Sequence, residues 1–193
     1  MYYTAEEIVA KAKQAEGYEE IPNDYWLCFV RRNEEDRKPD TFNGRVYLMC
    51  GERLVMETTC TTVPGTKGLL NFQKYNKKGS AVLKSDIWLY DTFSPGLHKG
   101  KLEALRQVKK AYTYRDNDRD VVAEELGTPV KGLYYTNIHL SSYNIFSKVV
   151  KKFIGLWSVG CLVLNNPKDY REIIRSTKKQ KYVTAIILKE FSI

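Results

Sequence analysis

A mostly-β domain with a few peripheral helices is the fold class predicted here, and three features predict it. Short runs rich in β-branched and aromatic residues recur from Tyr25 onward, turn pairs such as Pro64-Gly65 and Lys78-Gly79 punctuate them, and stretches with helical periodicity are few. The runs cover 25–31, 45–50, 54–59, 81–83, 87–90, 110–114, 133–139, 159–164 and 182–191, with Cys50-Gly51-Glu52-Arg53 as a hairpin turn between the second and third. A first helix is expected after Thr4 as N-cap. Glu7 completes a capping box, Ile8, Val9 and Ala12 form one face, and Gly17 supplies the stop. A second is expected after Asn166 as N-cap, with Pro167 at its first position and Tyr170, Ile173 and Ile174 on its apolar side.

With 193 residues, 43% of them hydrophobic, and 14 Tyr, the chain has material for one ordinary core, which excludes a disordered, collagen-like or disulfide-stapled protein. No repeat, low-complexity tract or linker divides it. Residues 1–24 read as a helix and lead-in, and 25–193 as one β domain. The formal charge of +8 is unevenly spread: residues 1–40 carry six Lys/Arg against ten Asp/Glu, so residues 41–193 hold +12. Such a balance favours an anionic partner, whether nucleic acid, an acidic membrane face or an anionic cell-wall polymer. The opening MYYTAEEIVAKAKQ lacks the basic and apolar regions of a secretory signal. The longest near-apolar run, 153–164, falls short of the roughly 20 residues a membrane helix needs, so no membrane span is expected. Synthesis in the cytoplasm is expected, with work outside it reached through a virion or through lysis.

Cys28, Cys50, Cys60 and Cys161 form no CxxC pair and only two histidines accompany them, so neither a structural metal nor another cofactor is expected. The first three sit among strand-like residues and read as small buried hydrophobes. Asp116, Asp118 and Asp120 occupy positions 1, 3 and 5 of a calcium-loop pattern. Val121 and Gly127 then replace the required Gly and Glu, which favours a polar turn. Residues 145–189 hold ten Lys/Arg and two Asp/Glu, among them Lys148, Lys151, Lys152, Lys178, Lys179 and Lys181. Nucleic-acid binding is one reading of that segment and a solvated face the other; no recognition motif accompanies it. His98, within Leu97-His98-Lys99-Gly100-Lys101, is either an exposed loop residue or a substrate contact.

One constellation carries chemistry. The run Gly132-Leu133-Tyr134-Tyr135-Thr136-Asn137-Ile138-His139 delivers an imidazole at its end, and 22 positions later Trp157-Ser158-Val159-Gly160-Cys161 delivers a thiol on a tight turn. A free thiol titrates near ~8.5 and needs a base before it attacks a carbonyl, and an adjacent imidazole supplies one and returns the proton to the leaving group. Gly160 lets the backbone turn and a substrate approach, the Gly160 and Cys161 amides are candidate oxyanion donors, and Ser158 either fixes the turn or orients the imidazole.

These residues, Ile138-His139 followed by Ser158-Val159-Gly160-Cys161, resemble the signature of the L,D-transpeptidase catalytic domain (YkuD-like) family. With Asn137 and Trp157 added they resemble a compact, phage-encoded branch of it. Thr61-Thr62-Val63-Pro64-Gly65, Leu97-His98-Lys99-Gly100-Lys101 and Tyr114-Arg115-Asp116-Asn117-Asp118 are similar to that branch as well. The resemblance implies a β-sandwich-like catalytic fold. It makes Cys161 the nucleophile and His139 the base, with Ser158 and Gly160 shaping the turn, backbone there orienting the imidazole, and Trp157, Asn137 and His98 near substrate. It also implies an acyl transfer on peptidoglycan stem peptides through a thioester, resolved by water or an amine. Two departures stand out. Val163 occupies a position where the family often has Arg or Asn near substrate, and the His–Cys gap is longer, with Lys148, Lys151 and Lys152 inside it. Two other functions are compatible with the sequence: a non-catalytic virion or wall-binding protein that keeps the fold, and a nucleic-acid binder acting through 145–189.

Overall fold

Strand β1 (Tyr25–Arg31) is buried on both faces, and that is why it reads as an unbroken apolar run. Because side chains alternate along a strand, Leu27 and Phe29 enter one core while Trp26, Cys28 and Val30 enter another. The computed structural model, which describes residues 2–192, explains both cores. Strands β2 (Gly44–Cys50) and β3 (Arg53–Thr61) form the expected hairpin beside β1. The chain continues through α2 (Thr66–Leu70), β4 (Ser80–Leu83), β5 (Ile87–His98), β6 (Leu102–Gln107), β7 (Ala111–Asp116), β8 (Val130–Gly132), β9 (Ile138–Leu140), β10 (Leu162–Leu164), α3 (Pro167–Thr177) and β11 (Val183–Lys189). Eight strands close into a barrel in the order β1-β11-β5-β6-β9-β10-β3-β2, and β4, β7 and β8 make a small separate sheet.

The mostly-β expectation holds, with the strands paired as a closed barrel and a satellite sheet. Closure is achieved by two parallel pairings, β1 with β11 and β9 with β10, which leave the main sheet without an open edge. The barrel interior holds the larger core, including Leu48, Phe93, Leu105, Ile138, Leu162 and Ile187. Helix α3 adds Tyr170, Ile173 and Ile174 to that core, and the Asn166 side chain caps it by accepting from the Lys168 and Asp169 amides. The outer core is covered by α1 (Ala5–Ala12), whose Ile8, Val9 and Ala12 pack against Trp26 and Trp88. Its capping box forms as read: Glu7 N–H donates to Thr4 Oγ1 at 3.3 Å and Thr4 N–H to the Glu7 carboxylate at 2.7 Å. The helix ends at Ala12, before Gly17.

Three expectations need correction. The run 133–139 is not one strand: Tyr135 takes a left-handed φ of 58°, so 133–137 is irregular and only Ile138–Leu140 pairs. The 87–90 strand extends to His98, and β6, absent from the sequence reading, forms opposite it. Cys50, at the end of β2, is only half-buried, whereas Cys28 and Cys60 are sealed.

The satellite sheet is fastened to the barrel by Arg31 at the end of β1. Its guanidinium is 2% exposed, pairs with Glu125 at 2.6 Å and donates to the Leu83 carbonyl at 2.8 Å. A buried charge is tolerable only when so fully partnered. Between sheet and barrel a groove remains.

Candidate active site

Strand β9 places one polar side chain among apolar ones. Ile138 and Leu140 face into the barrel, so His139 faces out toward the groove. Parallel pairing sets Val163 of β10 beside His139, and Cys161 lies just before β10 at the groove wall. One donor atom each from His98, His139 and Cys161 lie within 4.8 Å of one another. The groove has a volume of about 850 Å3 and is bordered by Trp157, Gly160, Cys161, Asn137, His139 and His98.

The turn carrying the thiol is tightly specified. Gly160 adopts φ 139°, a conformation open to glycine, and a Cβ there would lie 2.7 Å from the Ala81 methyl and 2.9 Å from the Ala81 carbonyl. Ser158, fully buried, accepts the Gly160 amide at 3.2 Å and donates to the Cys161 carbonyl at 2.8 Å. Its hydroxyl thus fixes the turn and is not spent on the imidazole. The Gly160 amide is also engaged, so of the two candidate oxyanion donors the Cys161 N–H alone has no acceptor among the described residues. Gly65 and Gly68 bring α2 against the same turn, the Gly65 amide donating to the Ser158 carbonyl at 3.1 Å.

The His139 imidazole is oriented from its own strand, and not by backbone of the thiol turn as expected. His139 Nδ1–H donates to the Leu140 carbonyl at 2.9 Å, which leaves Nε2 as the acceptor. That Nε2 is buried and has no partner among the described residues. His98 is 8% exposed and stacks on His139 with ring centres 4.0 Å apart, so it is not an exposed loop residue. Asn137 locks it. The Asn137 Oδ1 accepts the Gln107 amide at 3.0 Å, so its NH2 faces His98 Nδ1 at 3.1 Å and His98 carries its proton on Nε2. Asn137 therefore serves as a strut, while Trp157 stays available on the groove wall, tilted against Tyr143 at 5.3 Å.

Gln107 is another residue the sequence did not single out. Its side-chain carbonyl accepts the Tyr134 and Thr136 amides and the Thr136 hydroxyl, strapping the irregular segment that leads to His139.

Electrostatics keep the resting pair neutral. Burial, helped by the neighbouring His98 ring and the Lys99 charge, pulls the His139 imidazolium down to about 3. Burial pushes the Cys161 thiol up to about 11, against a lowering pull from the Asn137 backbone and Lys99. In place of a standing ion pair there is a neutral imidazole, its Nε2 an unfilled acceptor, beside a neutral thiol that rests 3.8 Å from the Tyr135 carbonyl.

The two histidines and the thiol are ligand types suited to zinc. The donor set does not fit one, because the Asn137 amide occupies His98 Nδ1 and leaves a proton on the other nitrogen. Asp118, Asp120 and Glu124 also gather within 4.8 Å, but the turn uses the aspartates internally. Asp118 accepts the Asp120 amide, Asp120 the Val122 amide, and the buried Asp116 the Glu124 amide.

Val163 is fully buried with Phe42 and Ile154, behind Trp157 and Cys161 and not lining the groove itself, so no substrate contact arises at that position. Of the basic 145–189 segment, the stretch 146–156 is an irregular excursion exposing Phe146, Val149, Val150, Phe153 and Leu156 beside its lysines.

No family model matches the chain, and neither a curated protein nor a solved structure does. Among the described residues no helix is long and apolar enough to cross a membrane.

Proposed function

We propose that the chain is a cysteine acyl-transfer enzyme acting on peptidoglycan stem peptides, with the chemistry and catalytic fold of the L,D-transpeptidases it resembles and a phage origin. The observation that carries this reading is the unpartnered, buried His139 Nε2 beside the Cys161 thiol in an open groove. Cys161 Sγ attacks the substrate carbonyl carbon while its proton passes to His139 Nε2. The carbonyl oxygen becomes an oxyanion facing the Cys161 amide. The tetrahedral adduct collapses, the C–N bond breaks, and His139 gives the proton to the departing amine, leaving a thioester. Water or an acceptor amine then loses its proton to His139 and attacks the thioester, and the thiolate leaves and is reprotonated. Water gives hydrolysis; an amine gives a cross-link.

The test is incubation with muropeptides, reading products and intact protein mass. Wild type is expected to convert them and to show a mass increase on Cys161, and Cys161→Ala to lose conversion by more than about 10³-fold with its melting unchanged. No product from wild type, or equal conversion by Cys161→Ala, would overturn the proposal.

A second reading, a wall-binding protein that retains the fold without turnover, is favoured by the neutral resting pair. It predicts sedimentation with purified cell walls that Cys161→Ala leaves unchanged and no acylated protein.

A further inference from the structure

The groove is cationic in a way the motif does not explain. Lys99, Arg106 and Arg115 border it, and no Asp or Glu does. Among the described residues none of the three has a carboxylate partner, although most of the ion pairs elsewhere engage arginines. One of these cations crosses a glycine directly, and another rests on an aromatic ring that does. A Cβ on Gly96 of β5 would lie 2.8 Å from Arg106 Cδ, so the bare backbone there gives the Arg106 side chain room to cross the strand. A Cβ on Gly132 would lie 2.6 Å from the Tyr134 ring. That ring in turn supports Arg115, whose guanidinium sits 4.4 Å from the ring centre and donates to the Gly79 carbonyl at 3.3 Å. Lys99 stands on the β5–β6 turn, close enough for its charge to act on His98, His139 and Cys161.

We propose that Arg106 and Arg115, assisted by Lys99, form the subsite that holds a carboxylate of the acyl-donor peptide. This rests on the acyl-transfer reading of the groove. A guanidinium presents a planar fork that matches a carboxylate, and unpaired cations in a walled groove focus their field on whatever anion enters. Seating Arg115 on an aromatic ring prepays the ordering of a long side chain.

The test uses full-length Cys161→Ala protein, which binds without turnover, and two probes: a synthetic stem tetrapeptide with free carboxylates and the same peptide with every carboxylate amidated. The acid form is expected to bind about tenfold tighter or better by calorimetry. That preference is expected to fall below about threefold in Arg106→Gln and Arg115→Gln and to return in part in Arg115→Lys. The Arg106 side chain is exposed and makes no hydrogen bond among the described residues, so its variant tests the idea even if Arg115→Gln unfolds. Equal affinities, an unchanged preference in Arg106→Gln, or no binding of either peptide would overturn the subsite. So would a single-stranded oligonucleotide that binds more tightly than either peptide and loses that affinity in Arg106→Gln. The same peptides given to wild type separate this inference from the one beneath it. Equal acylation of both forms rejects the carboxylate subsite and keeps the enzyme. Acid-selective binding without any acylation keeps the subsite and rejects the enzyme.

Discussion

The two faces of β9 share one backbone and carry opposite chemistry. Inward, Ile138 and Leu140, beside Leu162 and Leu164 of β10, are fully sealed in the barrel core. Outward, one residue away, His139 is almost as buried, yet its Nε2 is left without a partner and its ring lies against a second imidazole. Burial is thus nearly equal on the two sides, and what differs is whether polar valence is satisfied. A packed core pins a three-residue strand, and alternation turns that rigidity outward onto the base.

The comparison is broken most strongly by pH. The folded protein holds His139 neutral down to about 3, whereas an unfolded chain protonates its histidine near 6.5. As pH falls through that window only the unfolded state gains the proton, so wild-type stability is expected to drop, by on the order of 4 kcal/mol between pH 6.5 and 3. His139→Gln should flatten most of that slope in urea titrations. Leu140→Ala, on the inner face, should cost about 2–5 kcal/mol and leave the slope intact. Equal slopes in wild type and His139→Gln would show that the outer face is not held neutral.

Next comes Gly160→Ala, which adds a methyl at φ 139° against Ala81. Overpacking and backbone strain together should cost about 3 kcal/mol in thermal melts, and conversion should fall at least tenfold as the thiol shifts. The smallest effect is expected for Ser158→Ala. Losing its two turn hydrogen bonds should cost about 1–2 kcal/mol and lower turnover through a looser thiol, while the pH slope set by His139 persists.

The parts of the fold written in local sequence were legible. Thr4 and Glu7 mark α1, Asn166 and Pro167 mark α3, and β1 stands out as an apolar run. Strand β6 was not, because Leu-Glu-Ala-Leu-Arg-Gln has no β-branched residue and owes its conformation to pairing with β5. The left-handed Tyr135 that ends the apparent 133–139 strand carries no local signal either. At the site, His139 and Cys161 were readable from their setting, and Ser158 and Gly160 from the turn. The His98 stack was not, since it joins residues 41 positions apart through a hairpin whose inner strand went unseen. The one available hint was Lys99-Gly100, a tight reversal that the left-handed φ of both residues confirms. The roles of Gln107 and Arg106, both on β6, were hidden for the same reason.

The parallel pairing of β1 with β11 has a consequence for biosynthesis. The staves numbered first and last are neighbours, so the ring stays open on the ribosome until residues 183–189 emerge. Strands β9 and β10 leave the ribosome before that last stave, so in the interval His139 and Cys161 sit in an unfinished wall and become fixed beside one another only when it closes. A half-made chain thus lacks the fixed imidazole–thiol pair that the proposed chemistry requires.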